Sequence, residues 1–263
     1  GGVEACLAVL RETGVNSIEV NDLHPNPPIT QIEPAIETIV NNGFSLSLHI
    51  FLPYFENGKE LPEALKEVVN GLKKRKMADH RVPLVLHGHL QKPSVAKADV
   101  LNKTKSDLAT LIKQLRRTGM NNPVAFELCR VSAGGPIGTT YQEVEEIADG
   151  CRDNAFGVCW DLGHTIYNNK YQGWEEPFPS PGFLKKVIHT HIHDLTVDDL
   201  THGPLDPNNK LLIAFLNLLQ RHNYQGGYNL ELYPERWDGS FTRRREHVLH
   251  SIRSLKEVLR VSA

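Results

Sequence analysis

The chain predicts an α/β fold closed into a (β/α)8 barrel, and three features carry that prediction. Seven short apolar, β-prone runs each end in a carboxylate or a histidine. They are Glu19 in SIEV, His49 in SLSLHI, His87 in VPLVLH, Glu127 in PVAFEL, Asp161 in GVCWD, His191 in VIHTHI and Glu231 in YNLEL. Successive members stand 30 to 40 residues apart. That is the length of one strand plus a crossover helix, which parallel strands require. Finally, the polar residue closes each run at the same end, which gathers the chemistry at one rim. In a barrel that rim holds the active site. The alternative, an open doubly wound sheet, brings ligands to one switch-point crevice, whereas here every strand end is polar.

The elements alternate along the chain. A helix over residues 2–13 is stopped by Gly14, and a strand follows at 16–20. The loop HPNPP leads to a helix at about 31–42, ended by Asn42-Gly43. Strand 44–50, helix 60–77 and strand 82–87 come next, then helix 97–118 with Gly119 as its stop. Strand 123–128 and the loop SAGGPIG precede helix 139–149. Strand 156–160 runs into a segment, 162–180, rich in Tyr, Trp, Asn and Pro, which reads as a long loop. A helical turn at 181–186 leads to strand 187–192, and loop 194–208 leads to helix 209–222. Strand 227–232 and helix 241–260 close the chain. An eight-stranded barrel begins with a strand and this series begins with a helix, so the first strand is expected before residue 1. The segments between strands share no sequence and no fixed length, so the repeat is one of βα units rather than of a solenoid. A single domain over 1–263 is expected.

Composition narrows the function. With 263 residues, 40% hydrophobic and 23% charged, the chain can bury a sizeable core. A net charge of -2 gives no global pull toward nucleic acid. No apolar run is long enough to span a bilayer, and no signal peptide is visible. The four cysteines, Cys6, Cys129, Cys151 and Cys159, form no CxxC pair. They suggest neither a disulfide framework nor a structural zinc site, and a cytoplasmic setting is expected. Histidine is abundant, 13 against 9 Phe and 7 Tyr, and often sits at strand ends, which leans toward metal or acid–base chemistry.

The motifs sharpen this. In DLGH, Asp161 stands just past a strand with His164 three residues on, so a turn lets a carboxylate and an imidazole converge; a helix cap and a satisfied loop histidine are the plainer account. In VIHTHIHDL, His189, His191 and His193 alternate and share one strand face. Glu127 and Glu231 end runs that otherwise read as buried strand. A buried carboxylate is costly unless paired or metal-bound, so each is either a core ion pair with an arginine such as Arg130 or Arg236, or a ligand. Together with Asp161 and His191 they make a set of three carboxylates and one imidazole, suited to Mn²⁺, Mg²⁺ or Co²⁺, with Zn²⁺ also accommodated. Glu19, His49, His87 and the loop residue His202 follow the same pattern, either as satisfied core or loop side chains or as further site residues.

These residues resemble the xylose-isomerase-like TIM-barrel superfamily: Asp161-Leu-Gly-His164, the run from His189 through His191 to Asp194, and strands ending in Glu127 and Glu231. The resemblance spans the first helix to Glu231. Its epimerase branch implies one divalent metal ion held by Glu127, Asp161, His191 and Glu231. The two glutamates would be the acid–base pair, His164 would touch the substrate and Asp194 would lie behind the ligands. In the endonuclease IV branch, which uses three zinc ions, His49, His87 and His202 match ligand positions. There, however, Leu200 stands where an Asp is needed, HGHL replaces the HPGS sequence, and the Asn-Pro-Arg loop is not evident.

The expected function is therefore a divalent-metal-dependent isomerase or epimerase of a sugar, ketose or related polyol. It would work by proton transfer beside a metal-polarised carbonyl, with His49, His87, His164, Arg130 and Arg236 as substrate-binding residues. The 162–180 segment, with Tyr167, Tyr171 and Trp174, is expected to cover the mouth. An endonuclease IV-like zinc phosphodiesterase acting on abasic DNA is the first alternative and a non-catalytic ligand-binding barrel the second. The partner expected is a small sugar or polyol rather than nucleic acid or membrane, and a homo-oligomer is compatible with the sequence.

Overall fold

Seven strands lie side by side in the order of the sequence in a computed structural model that describes residues 3–21, 29–50, 70–76, 82–174 and 177–261. They are β1 (Ser17–Val20), β2 (Ser45–Ile50), β3 (Leu84–Leu86), β4 (Val124–Glu127), β5 (Phe156–Asp161), β6 (Val187–Ile192) and β7 (Tyr228–Leu230). Every neighbouring pair is parallel. Among the described residues no ladder joins β7 to β1. Side chains cross between them instead: Asn229 Nδ2 donates to Glu19 Oε1 at 3.1 Å and Asn21 Nδ2 to Glu231 Oε1 at 2.7 Å. A cleft of about 780 Å³, lined by Ile18, Tyr228, Leu230 and Ile252, lies at this seam. The architecture is a nearly closed TIM barrel, with seven strands among the described residues.

The helices are α1 (Val3–Glu12), α2 (Ile29–Asn41), α3 (Lys97–Arg117), α4 (Tyr141–Gly150), α5 (Leu162–Gln172), α6 (Pro181–Lys186), α7 (Lys210–Arg221) and α8 (Phe241–Val261). Residues 70–74 are helical too. Most of the helix expected at 60–77, and the HPNPP loop, lie outside the described residues. None of the described helices is long and apolar enough to cross a membrane. α3 shows why these segments coil: Val100, Thr104, Leu108, Leu111, Ile112 and Leu115 recur at helical spacing and form its buried stripe. α7 starts where the Asn209 side chain accepts from the backbone N–H groups of Leu211 and Leu212.

One expectation needs correction. Residues 162–172 are not loop but α5. Asp161 caps this helix by accepting from His164 N, and Gly173, in the left-handed region at φ 59°, ends it. The Tyr- and Asn-rich sequence carries almost no apolar period, so only the two caps announced it.

The strand period of two divides the sheet into an outer and an inner face. Trp160 faces outward, its ring centroid 5.9 Å from that of Phe183 on α6 and 5.1 Å from that of Phe215 on α7. Phe126 is likewise fully buried in the main core. Burial of each such ring contributes roughly 2 to 3 kcal/mol. Its neighbours in sequence must then face inward. Val85, Ala125 and Cys159 form a small apolar cluster there, and two residues further along their strands come His87, Glu127 and Asp161. The barrel interior is thus apolar in its depth and ionisable at its mouth.

Candidate active site

Parallel pairing sets the site residues level with one another. Asp161 lies opposite His191, Glu127 opposite Cys159 and Glu19 opposite Ser47. Glu231 follows β7 directly, and its backbone N–H donates to Ile192 O. Glu127, Asp161 and His191 have no exposed surface, and Glu231 retains 6%.

His191 stands at the centre. Its Nδ1 lies 3.2 Å from Glu231 Oε2, 3.4 Å from Glu127 Oε2 and 3.8 Å from Asp161 Oδ2. Its Nε2 points the other way, 2.8 Å from Glu19 Oε1. Glu19 is in turn held by Ser47 Oγ and His189 Nε2, at 2.8 and 2.9 Å from its Oε2. His49 Nε2 and His87 Nε2 approach Glu127 Oε2 at 3.1 and 2.9 Å and stand 2.9 Å apart. His164 Nδ1 lies 3.1 Å from Asp161 Oδ2 and 3.3 Å from Glu127 Oε1. His193, just past the end of β6, sets its Nε2 3.2 Å from Asp161 Oδ1. Its Nδ1 accepts from His202 N at 2.9 Å.

The four residues expected to form one set therefore converge, and so do His49, His87, His164 and His202. Among the described residues Glu127 and Glu231 are faced by imidazoles, and neither is paired with Arg130 or Arg236. Both arginines line the same pocket of about 600 Å³, further toward its mouth. Asp194 is not in the site; it organises the following loop, accepting from Leu195 N and Asn209 Nδ2. Asn21 and Tyr233 were not anticipated. Each stands two residues beyond a recognised carboxylate and so on the same face, and both touch Glu231 Oε1. The alternation alone would have found them.

Two close approaches need glycine. A Cβ on Gly163 would fall 2.0 Å from His193 Cε1 and Nδ1, and His193 is wholly buried with its Nδ1 accepting from His202 N, so the ring cannot make room. A Cβ on Gly203 would meet the Leu195 and Thr196 backbone at 2.7 Å. There the chain doubles back through the Asp194–Gly203 bridge and brings His202 over the site. The aromatic residues expected to cover the mouth, Tyr167, Tyr171 and Trp174, do not line this pocket: Tyr171 Oη donates to Asp199 Oδ2 at 2.7 Å, and Trp174 rests on Tyr141 at 5.1 Å between ring centroids.

A buried side-chain atom without a hydrogen bond points to an absent partner. Among such atoms are one oxygen from each carboxylate, Glu127 Oε1, Asp161 Oδ2 and Glu231 Oε2, together with His191 Nδ1. Three carboxylate oxygens and one imidazole nitrogen are a donor set of the kind a divalent cation takes, and His191 Nδ1 has an oxygen of each of the three carboxylates within 3.8 Å. Among the groups whose ligand atoms lie within 4.8 Å of one another are His49 with His191 and Glu231, His49 with His87 and Glu127, Glu19 with His189 and His191, and His164 with His193 and His202.

The carboxylates and imidazoles of the cluster shift one another's protonation. Burial pushes His49 down, yet Glu127 and Glu231 overcome it and raise it to about 10. His164, likewise opposed by burial, is raised to about 9 by Asp161 and Glu127. Burial pushes the carboxyls of Glu127, Asp161 and Glu231 up, and the imidazoles around them hold them below their usual range. A raised imidazole keeps a proton that the unfolded chain releases near pH 6.5, so its stabilisation is whole below that pH and is lost as pH climbs through about 9 to 10. The lowered carboxyls contribute above about pH 4 and fail only in acid. Chelator-treated protein should therefore melt highest between about pH 5 and 6.5 and progressively lower toward pH 10. Thermal unfolding at constant ionic strength checks this, and a flat or rising melting temperature above pH 6.5 would contradict it.

Residues 7–258 match a family model described as xylose isomerase-like TIM barrel. No curated protein matches the chain. Solved structures share its fold. One is an L-ribulose 3-epimerase, with a TM-score of 0.66 at 15% identity over 99% of this chain and 89% of that one. Another is D-psicose 3-epimerase with D-tagatose from Clostridium cellulolyticum H10, with a TM-score of 0.68 at 13% identity over 98% and 94%. A third is the IOLI protein with a bound zinc atom, with a TM-score of 0.60 at 17% identity over 98% and 91%. At such identities the likeness is one of fold.

Proposed function

The chain belongs to the xylose isomerase-like TIM-barrel family, and we propose that within it this protein is a divalent-metal-dependent isomerase or epimerase of a sugar, ketose or related polyol. The observation that carries the reading is the set of four buried atoms without hydrogen bonds, one each from Glu127, Asp161, His191 and Glu231. The sugar 3-epimerases that share the fold support it.

Those four residues would hold one Mn²⁺, Mg²⁺, Co²⁺ or Zn²⁺ ion. Bound there, it would polarise a substrate carbonyl and steady the negative charge that develops on it. The rest falls to the protein. Glu127 and Glu231, ionised at neutral pH, stand on β4 and just past β7 and so approach a substrate from different sides. One takes the proton from the carbon beside the carbonyl, and either it or the other returns a proton. His164 and His49 flank the carboxylates as donors to substrate oxygens. Tyr233 Oη, hydrogen-bonded to Asn21 at 2.9 Å, holds Glu231 in place.

The test is exchange. Metal-free protein mixed with a ketose in D₂O should exchange a carbon-bound hydrogen only after Mn²⁺ is added, read by proton NMR. No exchange on any of a panel of ketoses with any of the four metals would refute the reading.

A second reading rests on the additional imidazoles. His49 and His87 at Glu127 Oε2, and the His164, His193 and His202 group, provide more ligands than one ion uses. They favour a hydrolase of phosphodiesters that works with about three zinc ions, as the endonuclease IV resemblance suggests. Counting the metal in purified protein separates the two: one ion per chain supports the isomerase and three support the hydrolase.

A further inference from the structure

The mouth of the pocket carries positive charge that proton transfer at its floor does not require. Arg130, three residues past the end of β4, and Arg236, in the turn Pro234–Arg236, both line it. Arg130 is half-buried and Arg236 exposed. Among the described residues neither forms an ion pair, although Glu235 shares their wall. Each guanidinium instead lies over an aromatic ring: Arg130 Cζ is 5.2 Å from the Tyr167 centroid, and Arg236 Cζ is 4.4 Å from that of Tyr233. A guanidinium over a ring engages its face and keeps its N–H edge for an anion. Tyr233 is also stacked on His202, with centroids 4.2 Å apart and planes 16° apart, so Arg236, Tyr233 and His202 form one column rising from the site. Tyr167 stands on α5, the helix capped by Asp161. Both arginines are thus tied to the carboxylate cluster through rigid parts.

Among the described residues, only the rim of the pocket carries cations not already paired with a carboxylate. The charge of Glu127 and Glu231 on its floor is taken up by the imidazoles around them, whereas two cations with free N–H edges stand at the rim and attract an anion, most strongly a group that takes two parallel hydrogen bonds. A volume of about 600 Å³ accommodates a ligand of sugar-phosphate size. We propose that the substrate carries a terminal oxyanion, a phosphate ester or a carboxylate. Arg130 and Arg236 would hold that end at the rim while the carbonyl end reaches Glu127 and Glu231. The proposal rests on the isomerase or epimerase reading for the orientation of the substrate, but the clamp itself is tested by binding alone.

Isothermal titration of Mn²⁺-supplemented protein with D-fructose, D-fructose 6-phosphate, D-glucuronate and inorganic phosphate provides the test. At least one of the organic anions should bind ten times or more tightly than D-fructose, and which of the two does so tells phosphate from carboxylate. In Arg130→Gln/Arg236→Gln, confirmed as folded by circular dichroism, that ratio should collapse to within about twofold of one. Arg130→Lys/Arg236→Lys, which keeps the charge but not the paired edge, should recover only part of it. The proposal is overturned if no anion binds, if anions and D-fructose bind equally, or if the Gln double variant keeps the preference, for then the metal rather than the arginines takes the anion. Anion preference without hydrogen exchange on any substrate would refute the isomerase reading and leave the clamp standing.

Discussion

Glu231→Gln should cut the interconversion of substrate and product by roughly 10²- to 10⁴-fold, the range over which a positioned general base acts, and Glu127→Gln should do the same. Both carboxyls are fully ionised at neutral pH because imidazoles surround them, so each is ready as a base. The amide keeps the side-chain volume but removes the basic lone pair and sets an N–H₂ group against donors. At Glu127 those would be His49 and His87, and at Glu231 Asn21 and Tyr233. Where the exchange fails tells how the reaction runs. If the two glutamates serve opposite faces, each variant loses conversion yet still exchanges hydrogen from one of the two epimers. If a single base serves one face, only one variant loses exchange. Metal content must be measured alongside, since both residues are also proposed ligands, and activity is compared at saturating metal. Conversion that persists undiminished in Glu231→Gln would remove that residue from the mechanism.

The sequence disclosed this site to the extent that strand periodicity governs it. A carboxylate or imidazole closing an apolar run of β-prone residues can only face in or out. Large outward partners such as Phe126 and Trp160 decide which, and with them facing out Glu127 and Asp161 face in. What alternation left ambiguous was depth. His189, His191 and His193 share a face, but their roles follow from partners on other strands that no local pattern reveals. His189 meets Glu19 from β1, His191 meets three carboxylates, and His193, past the strand end, turns toward Asp161 and His202. α5 went unread for a different reason: LGHTIYNNKYQ buries polar groups such as Asn168, which accepts from Val131 N and donates to Cys129 O, rather than an apolar stripe. Hydrophobic period cannot detect a helix held by its caps and by buried amides. Glu19 was legible as a strand-end acid but not as a partner of His191, because 172 positions separate them.

That partnership yields the second large effect: Glu19→Gln should weaken divalent-metal binding by roughly 10- to 100-fold, the usual consequence of removing the carboxylate behind a ligating histidine. His191 offers Nδ1 to the centre only while its proton stays on Nε2, and Glu19 Oε1, 2.8 Å from Nε2, is the carboxylate placed to keep it there. Glu19 cannot drift from that role, because Ser47, His189 and Asn229 hold its two oxygens. Glutamine has one acceptor oxygen for these four donors, so its N–H₂ group must face at least one of them. The ring is then free to rotate or to carry its proton on Nδ1, where it blocks the metal. Mn²⁺ affinity by isothermal titration should fall while the variant still folds. Nitrogen-15 NMR of the metal-free protein should show the His191 proton confined to Nε2 in the parent above the pH where the ring loses its charge, and shared between nitrogens in the variant. Ser47→Ala, which removes one of the donors that hold Glu19 but leaves the acceptor in place, should cost less than tenfold, since a single hydrogen bond contributes about 1 kcal/mol. An Mn²⁺ affinity within twofold of the parent in folded Glu19→Gln would show that His191 is held by the barrel wall and that Glu19 does no more than fill the floor.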